Sequence, residues 1–167
     1  MECGVVRIDF AAEDDIDRIL EIERGAISPP WTHGALLSEI YREDSFFAVA
    51  KNNSQFTIHN SQLFTRDVCG FVFLRRIADE GELLQIAVDR TARRRGVAGL
   101  LMDAAFRYVG EHALKSVFLE VRASNEAAIA LYEKHGFRPV RQRKDYYDKP
   151  IEDAVVMSKA LEQVQST

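Results

Sequence analysis

At 167 residues the chain has room for one domain with a substantial core, and no apolar run approaches the length needed to cross a bilayer. Its 47% hydrophobic and 29% charged residues suit a soluble globular protein, and a net charge of −4 argues against a general nucleic-acid binder. Two cysteines, Cys3 and Cys69, offer neither a disulfide framework nor metal-ligand spacing, and the start Met1-Glu2-Cys3-Gly4 lacks the regions of a secretion signal. The expectation is a single domain over residues 1–167 in a reduced, cytoplasmic setting.

Val5 to Phe10 alternates as a strand, and Ala12 to Ile22 reads as a helix with acidic residues in its first turn. Glu13, Asp14, Asp15, Asp17, Glu21 and Glu23 crowd that helix; a solvated face explains them better than a patch for a basic partner. Ser28-Pro29-Pro30-Trp31 breaks the chain, and Thr32 can cap a second helix running to about Tyr41. Phe46 to Lys51 is a strand, Asn52 to Asp67 is polar and irregular, and Val68 to Arg76 is a strand in which Cys69 reads as a small core residue. A turn at Ala78 to Gly81 leads into a strand at Glu82 to Val88, then a helix from Gly96 to about His112. Val117 to Arg122 is a buried-looking strand, and Asn125 to His135 is a helix stopped by a left-handed Gly136. Phe137 to Tyr146, crowded by Arg138, Arg141, Arg143 and Lys144, and Ala154 to Leu161 are the last strands, joined through Asp148-Lys149-Pro150. The order β α α β β β α β α β β predicts an α/β fold, a mixed sheet with helices on both faces.

The turn Arg93-Arg94-Arg95-Gly96-Val97-Ala98 follows the strand Leu83 to Val88 and opens a helix whose Val97, Leu100, Leu101, Ala104, Ala105 and Tyr108 make one apolar stripe. The first N–H groups of a helix lack intrahelical partners and lie at the positive end of its dipole. Gly96 and the small Ala98 admit a close approach, and the arginines add charge-assisted hydrogen bonds. The local chemistry therefore predicts a bound pyrophosphate on the N–H groups of Arg94 to Gly99. A solvated basic turn is the plain alternative, but cations at a helix start are unfavourable unless an anion joins them.

In the strand Val117 to Arg122, Val117, Leu119 and Val121 share one face, and Phe118, Glu120 and Arg122 the other. Glu120 reads either as a buried carboxylate satisfied by Arg122 or as a general base. Spacing alone favours the first. On the following helix Asn125, Ala128, Ile129 and Tyr132 lie on one face, and Asn125 to Tyr132 spans roughly 10 Å. By itself Asn125 is an N-cap and Tyr132 a core aromatic.

Arg-x-x-Gly-x-Ala after a strand resembles the acetyl-CoA signature of the GCN5-related N-acetyltransferases (GNAT). The run Leu119-Glu120-Val121-Arg122-Ala123-Ser124-Asn125, continued by Leu131-Tyr132 and Gly136-Phe137, resembles the ribosomal-protein-alanine N-acetyltransferase branch. The resemblance covers Glu82 to Leu161 well and the N-terminal half more loosely. It implies that the parallel strands Glu82–Val88 and Val117–Arg122 splay around acetyl-CoA. It also implies that Glu120 is the base, Tyr132 the acid that protonates the thiolate, and Asn125 a cofactor contact. A backbone N–H from Ile86-Ala87-Val88 would meet the thioester oxygen, and Arg93, Arg94, Arg95, Gly96, Val97, Ala98 and Gly99 would hold the pyrophosphate. Trp31 and Tyr146-Tyr147 match segments bordering the family's peptide groove, although packing under loops explains them nearly as well.

The implied substrate is the N-terminal alanine of a small-subunit ribosomal protein. Physics agrees: a free α-amine has a pKa of about 7.7–8.0 against about 10.4 for lysine, so deprotonating lysine costs roughly 3 kcal/mol more. No metal, nucleic acid or membrane is expected, His33, His59, His112 and His135 read as surface or packing residues, and the assembly is a monomer or weak homodimer. Two alternatives are a GNAT enzyme for a small-molecule amine and a non-catalytic acetyl-CoA-binding regulator. Retention of Glu120, Asn125 and Tyr132 together speaks against the second. The chain departs from many relatives in carrying Arg90 after Val88-Asp89, where they have proline, and Ala98 in place of glycine.

Overall fold

The computed structural model describes residues 6–24, 31–52 and 68–161. The strands are β1 (Val6–Phe10), β2 (Ser45–Asn52), β3 (Val68–Ile77), β4 (Glu80–Val88), β5 (Ser116–Arg122), β6 (Arg138–Asp148) and β7 (Ile151–Ala160). The helices are α1 (Ile16–Arg24), α2 (His33–Ile40), α3 (Val97–Glu111) and α4 (Glu126–Lys134). The strands form one sheet in the order β1-β2-β3-β4-β5-β7-β6. Among the described strands only β4 and β5 run parallel. This is the mixed α/β architecture that the element order predicts.

The interior strands are apolar on both faces because helices cover both. Phe46 to Ala50 and Val68 to Leu74 are buried without interruption. Phe46, Ala48, Val72, Leu74, Val117, Leu119 and Val121 meet Leu101, Met102 and Ala105 of α3 and Tyr132 of α4 on one side. Phe47, Val49, Phe71 and Phe73 meet Ile16, Ile19 and Leu20 of α1 and Leu36 of α2 on the other. The Thr32 hydroxyl accepts from the Ala35 N–H at 3.2 Å and starts α2, and Gly136 ends α4 at φ 89°.

Two sequence expectations change. On α3 the buried arc is Val97, Leu101, Met102, Ala104, Ala105 and Val109; Leu100 is 42% exposed. The helix lies across β2, β3 and β4, so its covered arc is broader than a single stripe and turned toward Met102. The acidic first helix is not wholly a solvated face. A short 3-10 turn, Glu13–Asp15, precedes α1; Asp15 is buried, accepts from the Ala12 N–H at 3.0 Å and pairs with Lys51 at 2.8 Å. Glu23 is buried as well. Glu13, Asp14, Asp17 and Glu21 are the exposed ones. Residues 53–67 of the polar stretch, Ser28 to Pro30, Cys3 and His59 lie outside the described residues.

Candidate active site at the strand fork

The ladder between β4 and β5 holds for three residue pairs: Glu80 with Ser116, Gly81 with Val117, and Glu82 with Phe118. Beyond them β4 continues to Val88 and β5 to Arg122 with no pairing between the two. Leu83 to Val88 therefore present an unpaired backbone edge to the opening, the kind of edge that an extended amide-bearing ligand can complete. Ile86, Ala87 and Val88 lie on this stretch. A register shift beside Leu83 to Gln85 bends β4 at the same place.

The turn at the end of β4 is built by its own side chains. Asp89 accepts from the Thr91 N–H and hydroxyl at 2.8 and 2.6 Å and from Arg18 of α1 at 2.6 Å. The Thr91 hydrogen bonds, with Arg18, hold its carboxyl below the usual range. This cap organises the Arg90–Ala92 turn. Arg93 donates to the Val88 carbonyl at 3.0 Å. Arg94 and Gly96 have positive φ, 63° and 81°, and a Cβ on Gly96 or Gly99 would meet nothing within 4 Å. Two left-handed backbone positions thus sit beside open space at the start of α3, where the helix's first N–H groups have no intrahelical partner, a backbone suited to a pyrophosphate. Arg94 and Arg95 are exposed beside it, Ala98 and Gly99 half-buried, and Val97 is a core residue that fixes the helix start.

Glu120 and Tyr132 flank the fork from opposite faces. Tyr132 is 8% exposed on α4, set edge-on against Phe137 with ring centroids 5.9 Å apart. Burial, and secondarily Tyr147, pushes its hydroxyl well above the ordinary tyrosine value, so it remains protonated at neutral pH. The Asn125 side chain accepts from the Ala128 N–H at 3.2 Å and caps α4. The capping alternative is therefore realised on an exposed residue.

Glu120 is half-buried on the α1/α2 side, and Arg122 does not satisfy it. Arg122 pairs with Glu152 at 3.1 Å and donates to the carbonyls of Lys149 and Pro150, clamping the β6–β7 turn while its guanidinium lies 4.1 Å from the Tyr147 ring centroid. The partner of Glu120 is Arg143 of β6, an ion pair that also stacks on Tyr146. The Tyr146 hydroxyl donates to Glu120, which raises its pKa. A register irregularity in β6 between Arg143 and Tyr147, with Asp145 at φ 49° and its N–H on Asp153, swings both side chains toward β5. Tyr146 and Tyr147 thus reach the fork, whereas Trp31 packs edge-on against Phe73 at 4.9 Å in the α1/α2 core.

Sequence reasoning missed Glu82. Half-buried at the base of the fork, it has its carboxyl pushed up by burial, with Arg75 lowering it and Glu120 raising it further. An acid on the strand, four residues before Ile86, was the available signal. On α2 and the turn after it, Glu39 is buried and paired with Arg75, while Asp44 pairs with Arg42.

The Acetyltransferase (GNAT) family model matches residues 16–137. The chain is 35% identical over 148 residues to the [Ribosomal protein bS18]-alanine N-acetyltransferase of Haemophilus influenzae, covering 86% of this chain and 91% of the relative. It is 31% identical over 156 residues to an N-alpha-acetyltransferase of Saccharolobus solfataricus, covering 90% of each. The crystal structure of the ribosomal-protein-alanine N-acetyltransferase from Escherichia coli superposes with a TM-score of 0.81 at 27% identity over 98% of each chain.

Proposed function

The chain belongs to the GNAT acetyltransferase family and is an acetyl-CoA-dependent N-acetyltransferase; on that premise we propose that its acceptor is the N-terminal α-amine of a protein, with alanine first and a ribosomal protein as the source. The observation that carries this reading is the fork itself. Two parallel strands part after Glu82 and Phe118, with a carboxylate on one face of the opening and a buried tyrosine on the other.

The residues divide the work by side. The backbone at Arg94 to Gly99 suits the pyrophosphate, and the unpaired edge at Ile86 to Val88 suits the pantetheine amides and the thioester oxygen. Acetyl-CoA supplies the activated acetyl group. Glu120, released from Arg143, takes a proton from the incoming amine, directly or through one water, because only the neutral amine is a nucleophile. Tyr132 donates to the departing sulfur. Burial disfavours a phenolate and a thiolate alike, so the proton moves between two groups that share one dry environment.

A glutamate matches an α-amine better than a lysine side chain by about two to three pKa units. The likeness to the Haemophilus and Escherichia enzymes, named for alanine on a ribosomal protein, supports the same substrate class. Mass spectrometry on Ala-starting peptides, beside copies with a blocked N-terminus and a free lysine, tests it. Acetylation confined to the free α-amine is expected, and acetyl groups mainly on lysine would overturn the substrate while leaving the enzyme class intact.

A further inference from the structure

Glu23 is a fully buried carboxylate in the last turn of α1, where the helix dipole disfavours an anion. One oxygen, Oε1, accepts from the Gln85 Nε2 at 2.9 Å; the other has no hydrogen-bond partner. Gln85 Oε1 is also buried and unpartnered. These two orphaned acceptors flank a single hydrogen bond, and leaving such groups buried and unpaired is destabilising.

A carboxylate accepts and does not donate. Facing Glu23, the Gln85 carboxamide must therefore present its NH₂, which turns its carbonyl oxygen the other way. Gln85 lies on the splayed part of β4, immediately before Ile86, and its side chain meets α1 on the same side of the sheet as Glu120. Beyond the last paired residues Glu82 and Phe118, Gln85 is three residues on and Glu120 two. At about 3.3 Å per residue the two sit roughly 10 and 7 Å past the fork on neighbouring strands.

We propose that Gln85 Oε1 is a second acceptor for the substrate amine and that Glu23 is a positioning residue that holds the Gln85 carboxamide in this orientation. With one N–H on Glu120 and one on Gln85, a neutral primary amine has both hydrogens committed and its lone pair left for the thioester carbon. The inference rests on the α-amine reading and adds to it the group that orients the nucleophile.

The test uses steady-state acetylation of an Ala-starting peptide, with acetyl-CoA affinity by calorimetry as the control for a folded cofactor half. Gln85→Met, similar in size but without the acceptor, should lower kcat/KM about tenfold or more with acetyl-CoA affinity unchanged. Glu23→Gln removes the constraint on the flip and should give a smaller loss. The double variant should be no worse than Gln85→Met alone, because Glu23 acts through Gln85. Wild-type kcat/KM in Gln85→Met, or losses that multiply in the double variant, would mark the pair as structural and overturn the assignment. Lysine-only acetylation by the unmutated protein would overturn the α-amine reading and this inference with it, an outcome visible before any variant is made.

Discussion

The two faces of the sheet are finished differently. Beside α3 and α4 the described buried residues are mostly apolar, with the hydroxyls of Tyr132 and Tyr108 among them. Beside α1 and α2 the same sheet encloses the carboxylates of Glu23 and Glu39, with Asp15 buried at the start of the helix and Glu82, Gln85 and Glu120 half-buried along the fork. The first face needs little charge because the donor can be held by backbone N–H groups and packing. On the proposed reading the second receives a cationic amine and removes its proton, and that takes acceptors held in a partly dry place. Buried acids usually weaken a fold, so their concentration on one face supports the proposal that the acceptor is handled there.

The sharpest way to break this division is to remove the proposed base. Glu120→Gln should lower turnover at neutral pH by about 10²- to 10⁴-fold, recovering in part as pH rises and free amine accumulates, with acetyl-CoA affinity unchanged. Thiol release measured across pH with an Ala-starting peptide checks it. On the opposite face Tyr132→Phe should lower kcat by about 10²-fold and leave the cofactor dissociation constant nearly intact. Near-wild-type rates in both variants would reduce the fork to a positioning device.

Gly96→Val tests the donor side alone. Its φ of 81° strains any β-branched residue, and the added side chain would enter the open space beside the turn. Acetyl-CoA should bind at least tenfold more weakly by calorimetry.

A smaller effect concerns the joint between the faces. Arg18 of α1 and Thr91 hold the Asp89 carboxyl below its ordinary value. A depressed carboxyl adds stability that is fully present above the unfolded pKa of about 3.9 and is lost as pH falls through the lower folded value. Asp89→Asn should therefore cost about 1–2 kcal/mol at pH 7 and little in strong acid, read from denaturant melts at several pH values. The smallest effect belongs to the exposed acids Glu13, Asp14, Asp17 and Glu21. A few-fold preference for basic peptides should shrink as salt rises past the ~8–10 Å screening regime, while the preference for alanine persists.

The amino-acid sequence by itself determined the element order, the Thr32 cap, the Gly136 stop and the turn at Arg94 to Gly96, because each depends on residues adjacent in the chain. The contiguous run through Glu120, Asn125 and Tyr132 carried the family for the same reason. Tertiary structure alone decided which acids are buried and whom they face. Arg143 meets Glu120 across 23 residues, Arg122 turns to Glu152 across 30, and Gln85 meets Glu23 across 62. Helical periodicity places an acid on a face, but whether that face meets solvent or a strand depends on which segments the sheet brings beside it. A carboxylate's partner is therefore a property of the assembled fork and not of its neighbours in sequence.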